Sequence, residues 1–192
     1  MKERLKREVM RKSFHMTGVT VPIAYLLFGK DLALLYSSIA LLAFVFLEFI
    51  RIRVHSLFPL AKTADIIERK WEKNTVAASV YFCVAAVISV FFLDQNAVIV
   101  GLTAGLLSDT AAALVGVGWG KHELRPGKTL EGTVAGIIAA SLVAFFLNSN
   151  YATVIAIGLI FLAFDLLDLG VDDNFTTPLA MVLAVHLLEG LL

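Results

Sequence analysis

The chain has a single cysteine, Cys83, among 192 residues. One thiol excludes an intrachain disulfide and any multi-cysteine metal site. It sits inside an apolar run, which suits a small buried hydrophobe better than a reactive thiol. Net charge is also missing, since 16 Lys and Arg balance 16 Asp and Glu. The N-terminus is basic, but no small-residue cleavage site follows the first apolar run, so no cleavable signal peptide is expected. A Gly-x4-Gly-Lys-Ser/Thr phosphate loop is absent too. The triplet Gly127-Lys128-Thr129 would need its first glycine at position 122, which is His122.

What the chain has is apolar surface. Hydrophobic residues make up 59% of it, and the mean hydropathy is +0.85. Soluble domains run near 45–50% apolar, so this excess, set out in long runs, predicts a chain dissolved in lipid. The length suits one domain, 1–192. The runs predict an all-α polytopic bundle of about seven transmembrane helices, at 14–28, 32–50, 75–93, 97–119, 131–147, 152–169 and 178–192. The first run is short and contains Pro22. A basic arm, 1–12, precedes it. Segment 51–73 is the longest polar stretch and reads as one or two amphipathic interfacial helices. Residues 120–130 read as a polar loop and 171–177 as an acidic turn. Turns at 29–31, 94–96 and 148–150 are nearly uncharged.

The charges are segregated. With seven spans, the arm, segment 51–73 and loop 120–130 fall on one face and carry every Lys and Arg except Lys30. By the positive-inside bias that face is cytoplasmic, the N-terminus included. The expected location is the cell membrane of a prokaryote or archaeon.

Ionisable residues inside apolar spans are costly, about 2.5–3.5 kcal/mol at mid-helix, and mark function by default. Asp109 lies roughly 15 Å from the cytoplasmic end of its span at 1.5 Å per residue. Ala112, Ala113, Gly116 and Gly120 recur beside it at helical spacing and admit a close backbone or ligand. Small-residue helix packing is the plainer account of those glycines, but packing does not require a carboxylate.

Loop 120–130 gathers Lys121, His122, Arg125 and Lys128. Thr129 reads as an N-cap and Glu131 as a first-turn acid. Clustered cations beside a helix start make an anion site, phosphate above all; the alternative is plain positive-inside bias. Asp165, Asp168, Asp172 and Asp173 bring four carboxylates within nine residues, a pattern that favours a divalent cation such as Mg²⁺. A solvated turn explains Asp172 or Asp173, but not Asp165 in its apolar run. Asn174, Thr176 and Thr177 read as caps ahead of Pro178. Arg11, Lys12 and His15 enter the membrane together and could reach a phosphate. Arg69, Lys70 and Lys73 alternate with Glu68 and Glu72.

Together these residues resemble a family. SDTAAALVGVGWGKHELRPGKTLEGTVAG resembles the nucleotide-binding stretch of the CTP-dependent lipid kinases: dolichol kinase, phytol kinase and the CTP-using diacylglycerol kinase. The match falls at Asp109, Ala112, Gly116, Gly120, Lys121, Lys128, Thr129, Glu131 and Gly132. DDNFTTPL resembles the late family motif at Asp172, Asp173, Asn174, Thr176, Pro178 and Leu179. RKSFH resembles the Arg-Lys-x-x-His near the family N-terminus, and ERKWEK its acidic-basic motif. Two departures stand out: Ser108 replaces a frequent glycine, and NTVAAS follows WEK where a Gly-Ala/Thr step is usual.

The resemblance implies transfer of the CTP γ-phosphoryl group to a membrane lipid alcohol such as dolichol or a shorter polyprenol. It implies Mg²⁺ at Asp109, Asp172, Asp173 and Glu131. Lys121, Arg125, Lys128, Thr129, Glu131, Gly116 and Gly120 would bind the nucleotide. Asp109, Asp165 or His15 would take the alcohol proton, and Arg11 and Lys12 would meet the moving phosphoryl group. No nucleic-acid partner is expected, and the oligomeric state stays open, a homodimer included.

Two rival readings remain. The Lys-Thr-x-Glu-Gly core also occurs in CDP-diacylglycerol and CDP-archaeol synthases, which are cytidylyltransferases. Their late Lys-Arg…Lys-Asp and His-Gly-Gly signature is missing here, where the chain ends LAVHLLEGLL. In a transporter Asp109 and Asp165 would line a path, but no pair of inverted halves is evident and the charges keep to one face.

Overall fold

The structure, a computed structural model, describes residues 2–53, 76–148, 150–167 and 169–191. Most of the interfacial segment expected at 51–73 lies outside the described residues, as do His55, Glu68, Arg69, Lys70, Glu72, Lys73 and Asp168. The chain runs α1 (Lys2–His15), a 3-10 turn (Met16–Val19), α2 (Thr20–Arg53), α3 (Ala78–Phe92), α4 (Gln95–Trp119), β1 (Glu123–Arg125), β2 (Lys128–Thr129), α5 (Leu130–Leu147), α6 (Tyr151–Leu166) and α7 (Asp173–Leu191). It is mostly helical. Among the described residues four stretches are long and apolar enough to cross a membrane: Glu3–Arg53, Gln95–Trp119, Leu130–Leu147 and Asp173–Leu191. α3 and α6 are apolar but shorter. Such helices are compatible with an integral membrane protein.

Within α2 the helix breaks at Gly29, whose φ of 76° and ψ of −174° interrupt the hydrogen-bond ladder. A side chain strains at that φ, so glycine marks the bend. The turn expected at 29–31 falls here, and helical segments run on either side.

α4 is the centre of the bundle and packs against α1, α2, α5 and α7. Around it α2 meets α3, α3 meets α7, α7 meets α6 and α6 meets α5. The sequence of α4 explains this place. Val98, Val100, Leu102, Ala104, Leu106 and Ala112 are buried on several faces, and a helix apolar all round belongs inside. Small residues let neighbours approach closely. A Cβ added at Gly101 would lie 2.5 Å from the Val182 backbone of α7. One turn on, Gly105 faces the ring of Pro178.

Polar contacts hold the bundle at both ends. Away from the hairpin, His186 Nδ1 lies 2.7 Å from Asp94 Oδ2. There Asn148 donates to Glu189 at 2.6 Å, and Asn96 also donates to Glu189. At the hairpin end, Arg51 donates twice to Glu48 at 2.9 and 2.6 Å, and Glu48 accepts the Ala77 amide at 2.7 Å. That buried pair fixes the start of α3 to the end of α2.

Three local expectations change. The loop at 120–130 is an antiparallel hairpin, with Glu123 opposite Thr129 and Arg125 opposite Lys128. Gly127, at φ 79°, makes its turn. The acidic turn at 171–177 ends early, because α7 already starts at Asp173. Asp172 caps it: its side chain accepts the Asn174 amide at 2.9 Å and its carbonyl accepts the Phe175 and Thr176 amides. Aspartate is among the strongest caps, and it places Pro178 inside the helix rather than just after a cap. Finally, α6 ends at Leu166, so Asp165 sits in its last turn.

Gly101→Ala forces the α4 and α7 backbones apart. The expected result is a lower melting temperature in detergent, from an overpacking cost of about 1–3 kcal/mol. Gly190→Ala, which meets nothing within 4 Å, is the matched control and does not lower the melting temperature.

Candidate functional site

One cleft at the hairpin end gathers side chains from five elements. It is lined by His15, Gly105, Asp109, Lys128, Phe161, Asp165, Asp173, Asn174, Thr177 and Pro178. Residues separated by more than a hundred positions thus meet at one point.

α1 contributes through one face. Leu5 touches the Gly118 side of α4, and Glu8 and Lys12 are buried; with His15 they form a stripe at helical spacing. Lys12 donates to Asp109 Oδ2. His15 Nε2 lies 3.2 Å from the same oxygen and sets its ring edge against Phe82, centroids 6.1 Å apart. Arg11 instead pairs with Glu8 at 2.5 Å.

The hairpin contributes Lys128. Its ammonium donates to Asp165 Oδ1 at 2.6 Å and reaches Asp173 Oδ2 at 3.4 Å. Burial opposes the charge on Lys128, but the carboxylates of Asp173 and Asp165 outweigh it and hold the ammonium above its ordinary pKa. Asp165 is 4% exposed. Its second oxygen accepts the Thr133 hydroxyl at 2.6 Å, so both oxygens are engaged. A carboxylate so buried needs such partners.

Other candidate residues do structural work at the rim. Glu131 accepts the Lys121 and His122 amides at 3.0 and 3.3 Å and meets His122 Nδ1 at 2.7 Å. It ties the hairpin to the start of α5 and does not line the cleft. Thr129 caps α5 by accepting the Gly132 amide at 3.2 Å. Gly116 and Gly120 make room for the Thr129 side chain; a Cβ at Gly120 would meet Thr129 Oγ1 at 2.6 Å. Asp172 spends its side chain on Asn174, and burial pushes its carboxyl above the usual range. Lys121 and Arg125 stand on the hairpin outside the cleft lining.

The structure therefore brings Lys12, His15, Asp109, Lys128, Asp165 and Asp173 together, and leaves Arg11, Lys121, Arg125, Glu131, Thr129, Gly116, Gly120 and Asp172 around them. Thr133, Phe161 and Gly105 were not expected. A buried Asp165 did demand a donor on a facing helix, but the sequence could not say which hydroxyl. Among the described residues no three His, Cys, Asp or Glu converge as a ready metal cage.

Comparison with known proteins gives the family. The chain is 27% identical over 184 residues to an uncharacterized protein of Methanocaldococcus jannaschii, covering 94% of this chain and 93% of that one. It is 28% identical over 206 residues to an uncharacterized protein of Rickettsia prowazekii, covering 96% of each. No solved structure gives a significant match. The model of the cytidylyltransferase family matches residues 2–185, which includes every cleft residue, and the chain belongs to that family.

Proposed function

We propose that this protein is a multi-pass membrane enzyme that transfers the γ-phosphoryl group of CTP to the hydroxyl of a membrane lipid alcohol, releasing CDP. The membership in a CTP-using family supports the nucleotide. The observation that carries the choice of acceptor is the charge of the cleft. Among the described residues, Asp109, Asp165 and Asp173 face Lys12 and Lys128 as fixed cations. An anionic phospholipid acceptor would add to that negative charge, whereas a neutral hydroxyl does not. We place the cleft on the cytoplasmic face of seven spans, counting the two limbs of α2 separately, in the cell membrane of a prokaryote or archaeon.

Phosphoryl transfer needs position and charge neutralisation. Lys128 and Lys12 offer ammonium donors to the phosphates, with Lys121, Arg125 and Arg11 farther out as a second tier. Asp109 and His15, in contact with each other, are the proton acceptor for the alcohol. Asp109 and Asp173 line one cleft and fit the one or two carboxylates Mg²⁺ takes beside substrate phosphates. Bound there, Mg²⁺ supplies charge neutralisation to the triphosphate. Asp165 has both oxygens engaged and is a weaker candidate for the base. An apolar groove lined by Thr103, Leu107, Thr110, Ala111, Ala139, Leu142, Val143, Phe146 and Leu147 lies between α4 and α5. It offers a bed for a lipid chain.

Cytidylyl transfer to a phospholipid is the second reading, and the family match favours it. Product analysis separates the two. Purified protein in detergent receives Mg²⁺ and CTP labelled at either the α or the γ phosphate, with lipid alcohols or phosphatidate. Label from the γ position in a lipid monophosphate is the expected outcome. Label from the α position in a CDP-lipid, with pyrophosphate released, makes the protein a cytidylyltransferase. No product with either acceptor returns the transporter reading.

Asp109→Asn and Lys128→Ala are each expected to lower turnover on the order of 100-fold, as removal of a charge-stabilising group at a reacting centre does. Near-normal turnover in both variants would show that the chemistry lies elsewhere.

A further inference from the structure

Thr133 is a polar residue near the start of a mostly apolar helix, and it is 2% exposed. Its hydroxyl donates to the Asp165 oxygen that Lys128 does not use. The three groups come from α5, α6 and the hairpin, so the contact is tertiary. Asp165 is buried and Lys128 is a quarter exposed along its side chain. An ammonium has three donors. Asp165 takes one at 2.6 Å and Asp173 lies at the longer 3.4 Å, which leaves donor capacity turned toward the cleft.

We propose that Thr133 is a positioning residue: it fixes the Asp165 carboxylate in one rotamer, and Asp165 in turn holds the Lys128 ammonium at the depth where it meets a phosphate. A hydroxyl suits this task because it satisfies one buried oxygen without adding charge. A second cation there would compete with Lys128 for Asp165. A methyl in place of the hydroxyl leaves a buried carboxylate oxygen unsatisfied, which disfavours the ionised form and weakens the hold on Lys128. The role assigned to Lys128 rests on the functional reading above, while the geometry of the three groups does not.

The test has two independent readouts. In the first, a trace of amine-reactive reagent acylates Lys128, and mass spectrometry follows the rate relative to Lys121 on the same hairpin. The hydrogen-bonded ammonium of the wild type reacts slowly. Thr133→Val is expected to react about threefold faster or more, and Thr133→Ser like the wild type. In the second, Thr133→Val lowers kcat about tenfold with KM for CTP changed less than about threefold, and Thr133→Ser restores it. Added to Lys128→Ala, Thr133→Val produces no further loss, because the relay acts through Lys128 alone.

A Thr133→Val protein with a lowered melting temperature but unchanged Lys128 reactivity overturns the proposal. So does additivity with Lys128→Ala. Should Thr133→Val not accumulate, Thr133→Ala takes its place in both readouts. A wild type inactive with CTP and every acceptor removes the functional reading, and the acylation series still decides the relay.

Discussion

The arrangement depends on neutralising buried carboxylates. Asp165 sits 4% exposed at the end of an apolar helix, where an unpaired charge would cost several kcal/mol. Its partners come from two different elements, Lys128 on the hairpin and Thr133 on α5. Asp109 sets the same demand on α4 and is met by Lys12 and His15 from α1. Each carboxylate therefore draws a separate part of the chain to the same end of the bundle. Lys128, Glu131 and the Thr129 side chain against Gly116 and Gly120 dock the hairpin.

A site built this way is assembled by the fold and not by any one segment. α4 carries Asp109 into place because its small residues let α7 and α5 close around it. α7 begins at Asp173 because Asp172 caps it, and that start aims Asp173 at Lys128. The break at Gly29 divides α2 into two limbs, and α1, ahead of them, packs on α4. Loss of any of these turns would separate charges that are stable only together. Removing one partner of such a pair costs about 3–5 kcal/mol, which binds catalytic geometry to folding.

Much of this was legible as anomaly rather than as arrangement. Asp109 and Asp165 stood out because lipid-facing helices do not carry carboxylates for nothing, and the structure does bring them, with Asp173 and Lys128, around one cleft. The apolar runs marked the helices, and Gly29 and Gly127 marked their turns. Pairing was not legible. Nothing in the spacing of 12, 109, 128, 165 and 173 says that Lys12 meets Asp109 and Lys128 meets Asp165. Thr133 gave no signal, since threonine is ordinary in such helices. Glu131 was ambiguous for a physical reason: a first-turn acid serves a helix start, a hairpin amide or a metal equally well, and the amides of Lys121 and His122 engage it. Gly116 and Gly120 read as room for a close backbone or a ligand, and the Thr129 side chain lies against them.

The same chemistry explains why a family defined by cytidylyl transfer could host a kinase. Both reactions need a triphosphate held by ammonium groups and a divalent cation, with an oxygen nucleophile in line. They differ in which phosphorus faces the acceptor, which is a shift of the nucleotide along the cleft by two phosphates. On the proposed reading, the depth of the cations would set that register. Lys128 is pulled inward by Asp165 and Asp173, and Lys12 is pulled inward by Asp109. On the proposed kinase reading, cations at that depth would receive the end of the triphosphate chain, with the γ-phosphoryl group toward Asp109. An anionic acceptor would need further positive charge at that depth, and in the described cleft Lys12 and Lys128 are the fixed cations facing three carboxylates. On that reading the charge that stabilises the fold would also bias which phosphorus reacts.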